Sequence, residues 1–290
     1  MSSNINKYIL LKSGIGNQLI PLISIMRMCN KFNYKLYIKF NKIVAYNFSR
    51  TDNKSFDLYN LIEINYDCNI INSIPNNCIS CNCNWNMEKN IIGSNEKNNI
   101  FYYNVCHLFG GSNDNIKNYK PTPCKNLKVN NFLNELKEYS KLINPVKIIK
   151  EKLDKYVEFL NNLDYKVLGL HIRTLDGGFI EMYNEKKLFT YIENFIKDNK
   201  WWKIYISTDS KIIEDKLIDK YKDNILKLDE PFGNKYDDKF SDNNYGLMNS
   251  MYEIFVLSKC ANFVGSAGST FSFLSFLLSD NETLDFWNEQ

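Results

Sequence analysis

His171, Arg173 and Asp176 follow an apolar run of Val167, Leu168, Leu170 and Ile172 and precede a pair of glycines, with Glu181 a little further on. Delivered together, an arginine, a histidine and carboxylates offer two kinds of chemistry. The guanidinium can hold an anion such as a phosphate, and a carboxylate can take the proton of a hydroxyl that is about to attack. The run reads as a short buried strand, and in an open α/β sheet ligands bind beyond the carboxyl ends of the strands. A plainer reading stands beside this one: Arg173 and Asp176 form a surface ion pair, and His171 is a satisfied strand-end histidine.

Three more stretches have a form that suits a phosphate-bearing ligand. Near the start, Gly14, Gly16, Asn17 and Gln18 follow an apolar strand, Tyr8 to Leu11, and precede a helix expected from about Leu19 to Phe32. The glycines allow close backbone approach, a helix start offers N–H groups to an anion, and Asn17 and Gln18 add donors; a plain tight turn is the alternative. The run Ile204 to Ser210 is a buried strand ending in Ser207, Thr208, Asp209 and Ser210. Asp209 could accept from a base or ribose, or Thr208, Asp209 or Ser210 could cap the next helix. Finally, Gly265, Ser266, Ala267, Gly268, Ser269 and Thr270 combine small residues, hydroxyls and a helix start into a phosphate cradle. Phe271, Phe273, Leu274, Phe276 and Leu277 behind it are core. The cradle lacks the lysine of a P-loop, and GxGxxG is missing from both glycine turns, which speaks against an ATPase or a dinucleotide enzyme.

These residues need a scaffold, and the order of elements from Lys166 onward supplies one. Strand Lys166 to Ile172, helix Glu185 to Asp198, strand Lys203 to Ser207, helix Lys211 to Tyr221 and strand Ile225 to Leu228 come first. Helix Tyr245 to Lys259, strand Asn262 to Gly265 and helix Ser269 to Ser279 follow. The alternation predicts α/β architecture with a parallel, doubly wound, Rossmann-like sheet. Helices over Asn131 to Tyr139 and Val146 to Asn161 bridge two lobes, with the boundary near Asn144–Pro145. The expected domains are 1–145, on the acceptor side, and 146–290, holding the ligand. Residues 45–125 identify no site.

A length of 290 residues suits two such lobes, and 44% hydrophobic with 24% charged residues is a globular composition. A net charge of +3 without a basic stripe argues against nucleic acid as a partner. No run reaches the roughly 18 apolar residues of a membrane span, and the start lacks a secretory pattern, so a cytoplasmic protein is expected. Eight cysteines are then expected as reduced thiols. Cys78, Cys81 and Cys83 with Cys106 and His107 loosely suggest zinc, but two separated ligand pairs are missing, and no metal site is expected. With two histidines and no ordered triad, a serine hydrolase is a poor competitor.

Taken together and in order, GIGNQL, GLHIRTLD, IYISTDS and YEIFVLSKCANFVGSAGSTFS resemble the fucosyltransferase superfamily of α-1,2, α-1,6 and protein O-fucosyltransferases. The resemblance covers most of the second lobe and the first forty or so residues. It implies a GT-B-like fold of two Rossmann-like lobes, GDP-fucose as donor, a glycan acceptor, inversion at the anomeric carbon and no metal ion. It also implies roles: Arg173 neutralises the β-phosphate, His171 contacts the nucleotide, and Asp209 reads the guanine. Gly268, Ser269, Thr270 and Phe271 wrap the diphosphate, while Asn17, between Gly14 and Gly16 on one side and the helix on the other, faces the donor phosphate. The α-1,6 enzymes have a second arginine and a lysine where this chain has Thr174 and Gly177. Glu181 falls at the spacing of their proposed base, with Asp176 the other candidate. Alternatives are a GDP- or glycan-binding protein without turnover, or a transferase of another GDP-sugar.

Overall fold

A computed structural model describes residues 6–11, 14–40, 43–44, 55–56, 58–76, 78–82, 100–103, 127–174, 183–228, 231–233, 236 and 245–289. The chain divides into two compact units, Met1–Pro121 with Asn130–Val146, and Thr122–Val129 with Lys147–Gln290.

The first unit opens with β1 (Asn6–Leu11), α1 (Ile15–Phe32) and β2 (Lys35–Phe40). The short strands β3 (Ile43–Val44), β4 (Ser55–Phe56), β5 (Ile62–Ile64), β6 (Cys68–Ile70), β7 (Ile79–Asn82) and β8 (Ile100–Tyr103) follow. Its main sheet has the order β6-β2-β1-β8-β7, with every pair parallel. Tyr8 to Leu11 are buried one after another, as expected of a parallel strand covered on both faces. Helix α1 starts earlier than its sequence suggested: Gly14 is its N-cap, with an extended φ of −68°. Gly16, Asn17 and Gln18 therefore lie in the first turn, and Gly14 O accepts the Gln18 amide at 3.1 Å. Fourteen of its eighteen residues are buried, so α1 is a core helix and not an amphipathic surface one. After β9 (Leu127–Lys128), which belongs to the second unit, α2 (Asn131–Ser140) packs on α1, and Glu135 pairs with the largely buried Arg27. Strand β10 (Ile143–Pro145) then pairs antiparallel with β5.

The second unit continues with α3 (Lys147–Asn161), β11 (Val167–Ile172), α4 (Glu185–Asp198), β12 (Lys203–Thr208), α5 (Lys211–Tyr221) and β13 (Ile225–Leu226). It ends with α6 (Tyr245–Lys259), β14 (Asn262–Gly265), α7 (Thr270–Leu277) and β15 (Thr283–Phe286). The sheet order is β13-β12-β11-β14-β15-β9, parallel except for β9 against β15. The expected parallel α/β sheet is present. From β11 the chain first builds outward through β12 and β13, then returns to place β14 on the other side of β11. The strand order thus reverses between β11 and β14, and such a switch point opens a crevice at the carboxyl ends.

Period-two alternation decides what each residue of β11 touches. Leu168, Leu170 and Ile172 join Leu188 and Ile192 of α4, Ile213 and Leu217 of α5, and Trp287 in one buried cluster. Each such side chain contributes about 1.5–3 kcal/mol by leaving water. Gly169 and His171 point to the opposite face. A Cβ on Gly169 would lie 3.0 Å from Leu257 Cδ2 and 3.1 Å from Cys260 Sγ, so α6 approaches the sheet closely there.

The cysteines Cys29, Cys68, Cys78 and Cys260 are free thiols; Cys83, Cys106, His107 and Cys124 lie outside the described residues. Among the described residues no group of three or more metal-ligating side chains gathers, and no helix is long and apolar enough to cross a membrane. Burial pushes the thiols of Cys29 and Cys260 up to about 12. The thiolate is the reactive form, so neither should react with a disulfide reagent at pH 8 in the folded protein. Mapping the labelled cysteines by mass spectrometry, with and without urea, should find both modified only after unfolding.

Candidate functional site

Strand register brings the polar ends of three strands level. His171 is opposite Ser207 and Ile172 opposite Thr208, while Leu170 is opposite Val264. The residues just beyond, Arg173 and Thr174, Asp209 and Ser210, and Ser266 to Ser269, therefore meet at the crevice of the switch point.

Ser266, with no exposed surface, is the junction between them. Its hydroxyl donates to His171 O at 3.1 Å and accepts the Arg173 amide at 2.9 Å and the Trp287 indole N–H at 3.1 Å. The indole also reaches His171 O at 3.2 Å. Trp287 was not among the residues singled out in the sequence. Its only advance signal is the alternation Leu284, Phe286 ahead of it, which forms β15 and delivers the ring to the core.

His171 is buried at 4% exposure, on the face of β11 that meets α7. Its ring stacks on Phe271 at 4.6 Å, with an interplanar angle of 15°, and Nδ1 lies 2.7 Å from Ser272 Oγ. The same oxygen accepts the Ser266 amide at 3.0 Å. This bridge exists because residue 265 is glycine: a Cβ there would fall 2.7 Å from both Cβ and Oγ of Ser272.

Arg173 and Asp209 form the charged rim. Arg173 Nη1 is 3.0 Å from Asp209 Oδ2, with side-chain exposures of 34% and 17%. The other carboxylate oxygen, Oδ1, accepts both the amide and the hydroxyl of Thr174 at 2.9 Å. Capping of α5 falls to Ser210, whose hydroxyl accepts the Ile213 amide, and Asp209 is left to the opposite strand. On the far side of β12, Ser207 donates to Glu253 at 2.8 Å and the Tyr236 hydroxyl to Thr208 O at 3.1 Å. Nearby, Tyr205, Ile225, Asn249, Tyr252 and Glu253 line part of a cavity of about 170 Å³.

At the cradle, Ser269 is the N-cap of α7 and its hydroxyl accepts the Ser272 amide at 3.4 Å. Gly268 has φ 79°, the left-handed region that favours glycine, and so turns the chain into the helix. Asn288 fixes the loop from the other side by accepting the Ala267 amide at 2.8 Å. Thr270 and Phe271, half-buried, begin the helix.

His171, Arg173, Asp209, Gly268, Ser269, Thr270 and Phe271 thus gather on one sheet edge of the second unit. Gly14, Gly16 and Asn17 lie in the first unit, at the start of α1; the space around a Cβ on Gly14 is open to at least 4 Å. Asp176 and Glu181 lie outside the described residues.

No family model matches this sequence, and no curated protein matches it either. Solved structures do. An α-1,6-fucosyltransferase, NodZ, soaked with GDP-fucose, superposes with a TM-score of 0.61 at 14% identity over 94% of this chain and 93% of its own. NodZ from Bradyrhizobium gives 0.62 at 13% identity over the same shares. POFUT1 in complex with GDP gives 0.60 at 10% identity, with 98% of each chain covered. The chain therefore has the fold of these fucosyltransferases, as the resemblance of its motifs implied.

Replacing Gly265 tests the junction. Gly265→Ala must push Ser272 away from His171 and the Ser266 amide, and overpacking of this kind costs about 1–3 kcal/mol. Urea unfolding should show that loss, and the His171 ring signals in NMR should move.

Proposed function

We propose that this protein is a glycosyltransferase that moves fucose, or a related sugar, from a GDP-sugar to a hydroxyl of a glycan. What carries the proposal is the convergence of Arg173 and the α7 N-terminus at the switch point, in a chain whose fold is that of enzymes captured with GDP or GDP-fucose. A guanidinium and a helix start both favour negative charge.

The reaction breaks the bond between the anomeric carbon and the β-phosphate oxygen and forms one from the acceptor oxygen to that carbon. The departing nucleotide keeps the electron pair, so negative charge grows on its phosphate in the transition state. Arg173 and the main-chain amides of the first turn of α7, at Thr270 and Phe271, stabilise that growing charge more than they stabilise the ground state. The acceptor's proton passes to a carboxylate, Glu181 or Asp176. Attack from the face opposite the leaving group inverts the anomeric centre, and in this scheme arginine and helix amides do the work a metal ion does in other transferases. His171, with its ring fixed by Phe271 and Ser272, contacts the nucleotide.

A second reading is a GDP-binding protein without turnover. It draws on Thr174, which stands where the α-1,6 enzymes carry a second arginine and spends its hydroxyl on Asp209. Calorimetric titration with GDP, ADP and UDP should show a preference for GDP under both readings. Release of GDP from GDP-fucose separates them. Under the enzyme reading Arg173→Ala lowers that release by ~10² or more while the protein stays folded. Glu181→Gln should flatten the acid limb of the pH–rate profile if Glu181 is the base and leave GDP affinity in place; an unchanged profile passes the role to Asp176.

A further inference from the structure

We infer that Asp209 is a positioning residue that aims Arg173 at the leaving phosphate, and not a reader of the base; this rests on the function proposed above. The carboxylate is divided between two tasks. Oδ2 holds the Arg173 guanidinium at 3.0 Å, and Oδ1 holds the Thr174 amide and hydroxyl, both at 2.9 Å. Each contact crosses from β12 to the residues that leave β11, so one side chain fixes both the arm and the backbone from which the arm springs. The other end of that backbone is fixed by Ser266, which accepts the Arg173 amide at 2.9 Å. Arginine's long side chain has many rotamers, and its planar fork is useful to a phosphate only when it is aimed.

The ion pair is placed for this purpose. Arg173 keeps 34% of its side chain exposed and Asp209 only 17%, so the guanidinium is the more open partner of the pair. A guanidinium has five N–H donors in a fork; with one arm against a carboxylate, another can meet a phosphate oxygen. A carboxylate beside the guanidinium also subtracts charge from the site. Its removal therefore has two opposed effects on a bound diphosphate: added positive potential, which favours binding, and a loosened arm. Ground-state affinity is a blunt readout for this reason. The rate is a sharp one, because a misplacement of about 1 Å at a reacting centre can lower it ~10²-fold.

The experiment uses the full chain and its Asp209→Asn variant, which keeps an acceptor for Thr174 and removes the charge. Four quantities are measured: kcat for GDP release from GDP-fucose, KM for the donor, the affinity for guanosine, and the affinity ratio of GDP to inosine diphosphate, which lacks the 2-amino group. Positioning gives a kcat lower by ~10², a KM within ~10-fold, an unchanged guanosine affinity and an unchanged GDP-to-inosine ratio. In addition, Arg173→Ala with Asp209→Asn should be no slower than Arg173→Ala alone, since a residue that acts through another adds nothing once the other is gone. A guanosine affinity that falls together with a collapsed GDP-to-inosine ratio would make Asp209 a base reader and overturn the inference, as would additive losses in the double variant. Should Asp209→Asn fold poorly, Asp209→Ser is put through the same measurements with the same criteria. Failure of the unaltered protein to bind GDP at all strikes the proposed function instead, and is recognisable before any variant is made.

Discussion

The hydroxyl of Ser266 is the contact on which the site depends. A serine hydroxyl has one proton to give and two lone pairs to receive, and here all three are used: one toward His171 O, and two from the Arg173 amide and the Trp287 indole. The group is out of reach of water, so a partner lost would go unreplaced, and leaving a buried donor or acceptor unmade costs about 1–3 kcal/mol. The three partners come from β11 and from the segment after β15, while the serine follows β14. One atom thus pins together the ends of three neighbouring strands. Where Arg173 leaves the sheet is settled by this neutral junction before any charge is considered.

Small residues allow the junction to form. Gly265 leaves room for Ser272 to approach the Ser266 amide and His171 Nδ1, and Gly169 lets α6 lie close beneath the same strand. Because α6 and α7 pack against each other, both glycines set the depth at which this helical layer sits under the sheet. The ring of His171 then fills the gap between β11 and α7 by stacking on Phe271. A histidine in this setting is shaped by its surroundings as much as any core residue, which is why a satisfied strand-end role and a ligand-contacting role are compatible for it.

The second unit was legible in the sequence because its elements are long relative to their linkers and carry period-two or helical spacing. Helices Glu185–Asp198, Lys211–Tyr221 and Tyr245–Lys259 and strand Asn262–Gly265 have the bounds that pattern and capping residues suggested. What escaped was short or required a partner far along the chain. Strand β9, of two residues, has too few positions to show alternation, and the four of β15 show only Leu284 and Phe286. The start of α1 was misjudged because glycine and asparagine lower helix propensity, yet Gly16 and Asn17 are carried inside the first turn by a helix that buries most of its surface. Lys7, fully buried in β1 with its ammonium 4.5 Å from the Tyr34 ring, looks in sequence like a surface residue flanking a strand. At the site the types and positions of His171, Arg173, Asp209 and Ser269 could be picked out from spacing. The connections described for the first three could not, because they join residues 35 to 116 positions apart.

The division between a neutral frame and a charged rim follows from the energetics of burial. Removing an ion from water costs several kcal/mol even after relaxation, whereas hydroxyls, amides and an indole can be buried at little net cost when each finds its partner. Ser266, Ser272 and Trp287 occupy the dry interior on those terms. Arg173 and Asp209 lie one step further out, where water still reaches part of each side chain and lowers the desolvation penalty. Alternation along β11 sets that step: with Ile172 facing the apolar cluster, a charge one residue earlier would be driven among Leu188, Ile192 and Leu217. The cation therefore comes at the first position past the strand, where Ser266 can hold its amide and Asp209 its side chain, and where an anion arriving at the sheet edge would find it already aimed.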